Sequence, residues 1–551
     1  MAKPEDLTDL ERRLVECAQA GELLDLADGA DIDPDEMEHW GPDRTVRADV
    51  LRDLLLRRHG WQPDPRGVRL RGAAVADDLD LAGVHADVVL SLVECRIPAI
   101  DLSRARLPDL TLAGVVTTQL TAVRLQVDHE VSLGRLRISS DGDGYGVVQL
   151  AGARIGGDLT CFGADLTNPA GPALNASGIQ VGGDVYLTAE FRASGGDSLG
   201  TIRFDGGHIG GALYCNGAQL TNTSGPALDI SQLRTDGNVI LVGGFRATGT
   251  GASGAVELAG THIGGDLLYN GAQLTNTDGP ALNVVDLALD GEIVLIEGFH
   301  ATGAGRFGTV RLHNVRVGGQ LGCIEGTIDH HDGGDELDLS QSAVGGLFLS
   351  AGFADHIDLD GLRYEGIPAG ASVDDWLRWL RDPEGTYSAQ AYQRLAAVHR
   401  AAGHERDARR ILIEQQRDLL RRGGLSRWQR VRHRVLGATL GYGYQSWRAL
   451  AALVITLVLA TGLTIAAGAK GVAVHTRDYQ PGTHCSLVEQ VGLGVDLAAP
   501  LISTGARTRC EVVTTSHPGQ VLTAAGWVFQ LAAWAFATLF IAGFTGVIRK
   551  Q

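Results

Sequence analysis

The chain has 551 residues and a formal net charge of −18, which is enough length for several domains. Glycine supplies 75 residues, well above the usual ~7%, while lysine occurs only as Lys3, Lys470 and Lys550, so arginine carries nearly all the positive charge. The acidic balance speaks against a nucleic-acid partner, and seven scattered cysteines form neither a disulfide framework nor a zinc pattern.

Met1 to Leu10 is acidic and polar, so no secretory signal peptide is expected. Residues 1–66 read as an N-terminal helical cap on a solenoid, because a solenoid needs a polar cover for its first open edge. Residues 5–58 are expected to be helical. Leu7, Leu10, Leu14, Cys17 and Ala18 share one face, and Thr45 can cap a second helix carrying Val50, Leu51, Leu54 and Leu55. Trp40-Gly-Pro-Asp lies between them as a turn.

Residues 67–366 read as a β-helix. Ala99-Ile-Asp-Leu-Ser, Arg104-Ala-Arg-Leu-Pro and Asp109-Leu-Thr-Leu-Ala are five-residue steps built on apolar residues. From Val147 the pattern becomes a 54-residue repeat, Val147–Gly200, Thr201–Gly254 and Ala255–Gly308, which decays in a fourth copy. Ile155, Ile209, Ile263 and Val317 mark one position through the copies, and Phe191, Phe245 and Phe299 another. Ile155-Gly-Gly-Asp-Leu and Val181-Gly-Gly-Asp-Val are the same element within one copy, so each copy is two coils. Apolar residues alternate over short runs between corners, as half-buried strands do. The Gly-Gly pairs are expected to supply backbone freedom at those corners.

The five-residue steps resemble pentapeptide-repeat proteins, whose coils use four such steps; the later coils depart from that pattern by inserting loops such as Leu166-Thr-Asn-Pro-Ala-Gly. With the Trp40-Gly-Pro-Asp-Arg-Thr entry, the Gly-Gly-Asp-Leu coils and the apolar C-terminal region, the chain resembles a group of uncharacterised actinobacterial membrane proteins. The resemblance implies a fold and a membrane location. Some relatives carry automatic oxidoreductase labels, but the resemblance brings no catalytic motif.

Four features are candidate sites. Gly249-Thr-Gly-Ala-Ser-Gly and Gly303-Ala-Gly-Arg-Phe-Gly match GxGxxG, yet a dinucleotide site needs a helix after the loop. Here each leads into a strand, so they read as corner loops and no cofactor is expected. Cys161, Cys215 and Cys323 share one ladder position with Tyr269 and read as buried fillers, too far apart for a disulfide or a shared metal. His208 and His262 share a position with Arg154 and Arg316, which marks a solvated face and not a metal site. Asp158, Asp184 and Asp266 repeat at the corners and are the candidate binding-face acids. They are expected to be solvated and to contribute little to stability. Stacked carboxylates acting in catalysis remain an alternative, although no aromatic sugar platform accompanies them.

Between Val68 and Glu365 there are 36 Asp and Glu against 17 Arg and no Lys, a net of −19, so the rod carries essentially the whole imbalance. Such a surface suits a basic cytosolic protein as partner.

Residues 367–446 read as a helical adaptor. Val373 to Leu380 forms a short helix on the last coil, and Ala391–Ala402 with Glu405–Arg422 forms a tetratricopeptide-like pair joined at Gly403. A basic juxtamembrane stretch comes next. Residues 447–551 hold two apolar runs, Ala449–Ala467 and Thr523–Ile548, each about the ~20 residues that cross a bilayer. Arginines precede the first run and Arg549-Lys550 ends the second, which puts both termini in the cytoplasm of a multi-pass inner-membrane protein. Ala542, Gly543 and Gly546 offer a small-residue surface for homo-oligomer contact. The loop 470–522 is then external, and Cys485 and Cys510 are its candidate disulfide. Leu487 to Ile502 is expected to lie on the outer leaflet with Glu489 and Asp496 on its polar side.

The reading is a membrane-anchored acidic β-helix that binds or scaffolds, with a gated oligomeric channel or a carboxylate enzyme as alternatives.

Overall fold

The computed structural model describes residues 6–139, 146–305, 307–331, 334–382, 385, 387–423, 426–440, 447–476, 483–499 and 503–544. Gly546, Arg549, Lys550 and the end of the Leu487–Ile502 segment lie outside the described residues. The chain divides into two compact units, Met1–Gly403 and His404–Gln551.

The first unit is a parallel β-helix with helices at both ends. Each coil lays down four short strands, as in Leu174–Asn175, Gln180–Val181, Val185–Tyr186 and Arg192–Gly195. Like positions pair in parallel with the coils before and after. A first sheet has 22 strands, two from each coil meeting at the Gly-Gly corner, and the second and third have 9 and 12. In the third sheet Ile100 pairs with Leu120, a step of 20 residues and so four five-residue units. Val148 to Leu174, Leu174 to Ile202, Ile202 to Leu228 and Leu228 to Val256 are then steps alternating between 26 and 28. That alternation is the physical content of the 54-residue period.

Inward positions alternate along every strand and stack into apolar ladders. Phe191, Phe204, Phe245, Phe299 and Tyr269 are among the largest fully buried side chains. Corners turn through left-handed residues at matching places on successive coils. Glycine fills many of them, and Arg104, Arg124, Gln232, Asp286, Asn314 and Gln341 take a positive φ at one such ladder. The inserted loops of the 54-residue repeat are held by an internal clamp. Asn168, Asn222 and Asn276 are buried, and each donates its Nδ2 to the carbonyl of the proline four residues on, at 2.7–2.8 Å. An amide there satisfies backbone that the loop would otherwise strand in the interior.

The N-terminal cap is only partly helical, which corrects the reading of 5–58. Helix α1, Asp9–Ala20, and helix α2, Ala48–Leu55, bury Leu10 and Leu14 and then Val50, Leu51, Leu54 and Leu55 as expected. Between them Leu24–Asp25 pairs with Leu70–Arg71, and Thr45–Val46 pairs with Ala74–Val75. Thr45 is therefore in a strand, and the residue preceding α2 is Arg47, with no side-chain cap. An open sheet edge needs backbone partners more than it needs a polar cover, and the cap supplies them. At the other end α3, Val373–Leu380, closes the last coil: Trp376 lies 5.9 Å from the Tyr364 ring, and Trp379 Nε1 donates to the Ala354 carbonyl at 3.1 Å. Helix α4, Ala389–Ala401, comes after it.

The second unit holds α5 (Glu405–Arg422), α6 (Arg427–Leu440), α7 (Trp447–Gly468), α8 (Leu487–Ala498) and α9 (His517–Phe544). Among the described residues two helices are long and apolar enough to cross a membrane, Trp447–Gly468 and His517–Ala542. Their apolar side chains point outward: Val458 is 64% exposed, and Leu531 72%. A core helix of a water-soluble domain would bury them. Helix α8 corrects the placement of Glu489 and Asp496 on a polar outer side. It packs along the second half of α7, where a side chain on Gly494 would come within 2.6 Å of Thr461, and Thr464 Oγ1 donates to the Gln490 carbonyl at 3.1 Å. Its acids face inward. Asp496 is buried and accepts the backbone N–H groups of Thr504 at 2.5 Å and Ala506 at 3.0 Å. Leu487 and Val488 are the exposed residues.

Candidate functional site

The Gly-Gly-Asp corner carries the candidate acids, and its geometry is that of an edge running the length of the rod. Before the corner, backbone donors point to the previous coil: Gly182 donates to the Ile155 carbonyl and Gly183 to that of Gly157. After it they point to the next coil, with Val185 donating to the Ala212 carbonyl. The N–H of Asp184 sits at the reversal and has no backbone acceptor in line. Asp158 Oδ1 accepts it at 2.8 Å. Asp184 Oδ1 does the same for Ala212 at 2.7 Å, Asn238 Oδ1 for Asp266 at 2.8 Å, and Asp266 Oδ1 for Glu292 at 2.9 Å.

This arrangement explains the glycines differently from the expectation. Neither glycine of these pairs has a positive φ. The second one is there for space, since a Cβ on Gly183 would lie 2.0 Å from Asp158 Oδ1, and one on Gly211 2.1 Å from Asp184 Oδ1. It also corrects the view that Asp158, Asp184 and Asp266 contribute little to stability. Each is half-buried and closes the ladder at its weakest point. Around them the same corner stacks exposed carboxylates: Asp128, Glu130, Asp236, Asp290 and Glu292. Arg106 and Arg234 flank the edge and reach Asp128 at 3.5 Å and Asp236 at 3.3 Å. His208 lies 3.4 Å from Asp236, in the solvent-facing ladder expected for it.

Aromatic rings do accompany these acids. Phe162, Tyr186 and Tyr214 lie on successive coils; Phe162 is tilted by 39° against Tyr186, while the two tyrosines stack 4.9 Å apart and within 5° of parallel. The Tyr186 hydroxyl donates to Asp184 Oδ2 at 2.9 Å, and this bond, with burial, raises its pKa to about 12. The tyrosine faces are spent on each other along the rod, so this pair presents ring edges and not a flat platform for a sugar.

A second set of acids was not visible in the sequence. Asp229 and Glu257 are register partners on the third sheet. Burial, and then the charge of Asp229, push Glu257 up to about 7, and burial raises Asp229. Ser253 of the Gly249-Thr-Gly-Ala-Ser-Gly loop hydrogen-bonds Glu257, and its carbonyl accepts from Asn283 Nδ2 at 3.1 Å. The loop leads into the strand Val256–Ala259 and its companion into Val310–His313, as corner loops should. Arg306 of that companion lies outside the described residues. The signal in the sequence was an acid at an outward strand position directly after a long loop.

Cys161, Cys215 and Cys323 are buried on one ladder, two and then four coils apart, with Tyr269 filling the position between the last two. Burial pushes Cys161 up to about 12 and raises Cys215 and Cys323 as well, so these thiols are poor nucleophiles. In the second unit Cys485 and Cys510 are joined, with Cα atoms 6.3 Å apart. His475 Nε2 sits 3.0 Å from Glu489 Oε2 beside them, and Glu489 also closes a capping box with Ser486. Those four residues bring potential ligand atoms within 4.8 Å of one another. With both sulfurs in the disulfide, no thiolate is available to a metal.

Compared with family models, curated proteins and solved structures, the chain matches none.

Proposed function

We propose that this protein is a membrane-anchored binding scaffold whose acidic β-helix recruits a basic protein in the cytoplasm. The observation that carries the reading is the Gly-Gly-Asp edge. The rod's excess of carboxylates includes Asp128, Glu130, Asp158, Asp184, Asp236, Asp266, Asp290 and Glu292 stacked on one edge at strand spacing. A rigid row of like charges concentrates potential and steers a counter-charged partner. The two outward-apolar helices fix that row at a membrane. The arginines before α7 orient the rod to the cytoplasmic side, and the Cys485–Cys510 pair belongs to the opposite, oxidising side.

Neutralisation tests the proposal without dismantling the fold. Asn238 already does in this ladder what the aspartates do, so Asp158→Asn, Asp184→Asn and Asp266→Asn together remove charge and keep the acceptors. The full-length triple variant should release the partner at lower salt than the parent does, at unchanged thermal stability. Retention that ignores both salt and the triple substitution would sink binding by charge.

A further inference from the structure

A different surface in the second unit has its own chemistry. Helix α5 buries Ala408, Ile411, Gln415 and Asp418. At 100° per residue the opposite stripe is Arg406, Arg409, Arg410, Ile413 and Arg417. That stripe lines a cavity of about 520 Å³, and the residue completing its wall is Trp447. Trp447 is the first residue of α7 and is 63% exposed. Arg409 and Arg417 reach Glu405 at 3.2 Å and Glu414 at 2.5 Å. Among the described residues Glu414 is the one carboxylate in the lining, against four guanidinium groups.

We propose that this cavity is a binding site for the phosphate of an anionic phospholipid headgroup. Guanidinium forks match phosphate oxygens two at a time, and several converging on one cavity make a site where a single arginine makes only a surface charge. Position supplies the occupant. Tryptophan at the start of a spanning helix sits at headgroup depth, so the arginines beside Trp447 face the layer where lipid phosphates lie. Ile413 gives the stripe an apolar point beside the glycerol end of such a headgroup. The inference rests on the reading of α7 as a membrane span.

The test uses the full-length chain in a neutral detergent, titrated with short-chain phosphatidylglycerol, phosphatidylcholine or inorganic phosphate, with binding read by thermophoresis. Phosphatidylglycerol should bind at least about tenfold more tightly than either of the others. Arg406→Gln with Arg410→Gln should weaken it roughly thirtyfold. Arg427→Gln with Arg434→Gln, on α6 and outside the cavity, should change it by less than about threefold. Equal losses in the two double variants would mean diffuse charge and no site. Inorganic phosphate binding as well as the lipid would assign the cavity to a soluble anion, and equal binding of phosphatidylcholine would also overturn the proposal. Alkaline washing of membranes separates the premise from the inference. Release of the chain there removes the spanning reading, whereas a retained chain without lipid preference defeats only the headgroup site.

Discussion

Replacing Asp184 with alanine should open the rod locally, and replacing it with asparagine should not. In the native coil Asp184 Oδ1 holds the Ala212 N–H at 2.7 Å, where the backbone ladder reverses direction. Alanine leaves that donor without a partner in a half-buried corner, which costs ~1–3 kcal/mol. The Tyr186 hydroxyl also loses its acceptor, but it is partly exposed and water replaces the bond. A loss of ~2 kcal/mol corresponds to roughly thirtyfold faster amide exchange at Ala212, confined to the coils on either side. Asparagine keeps a carbonyl oxygen in place, as Asn238 does one double coil later, so its cost should stay within ~0.5 kcal/mol. Hydrogen exchange with peptide-level mass spectrometry on the full chain separates the two variants. Equal exchange in the alanine and asparagine proteins would refute the role assigned to the carboxylate. So would a Gly183→Ala protein as stable as the parent, because its Cβ must fall 2.0 Å from Asp158 Oδ1.

Three further outcomes are expected. Tyr269 is wholly buried and its hydroxyl has no hydrogen-bond partner among the described residues, so Tyr269→Phe should be neutral or stabilise the rod by ~1 kcal/mol in denaturant titration. Glu257 has a folded pKa of about 7 against an ordinary 4.5, so its cost is absent below pH 4.5 and complete above 7. Stability should therefore fall as pH rises through that window, by ~2 kcal/mol after allowance for its partial exposure, and Glu257→Gln should flatten the profile. Ile209→Asp should unfold the rod, since it places an unpaired charge in a fully buried ladder, whereas Cys215→Ala should cost only ~1–2 kcal/mol and alter no function. Circular dichroism on both proteins decides between them.

The solenoid was legible because its constraints are local and repeated. Alternation within Leu174–Asn175 and the recurrence of Ile155, Ile209 and Ile263 follow from one rule applied coil after coil. The Gly-Gly-Asp element was visible as a motif, but its meaning was not. Which N–H lacks an acceptor depends on the direction of pairing with both neighbouring coils, and single-sequence periodicity carries no such information. Asp229 and Glu257 were hidden for a related reason: they are largely buried at outward strand positions, and the register between coils places them side by side. At the N-terminus, helical spacing in α1 and α2 drew the intervening residues into a helical reading. The demand of the exposed sheet edge instead made Leu24–Asp25 and Thr45–Val46 strands. In α8 the charge of Asp496 suggests a water-facing side chain, whereas it serves loop backbone inside the unit.

Anchoring with the rod on the cytoplasmic side is what the scaffold reading stands on, and reporter fusions measure it. A reporter active only outside the cytoplasm should be active when fused after Gly482, in the loop before α8, and silent after Arg422 or Gln551. Activity at Arg422 would place the acidic rod outside the cell and contradict the account.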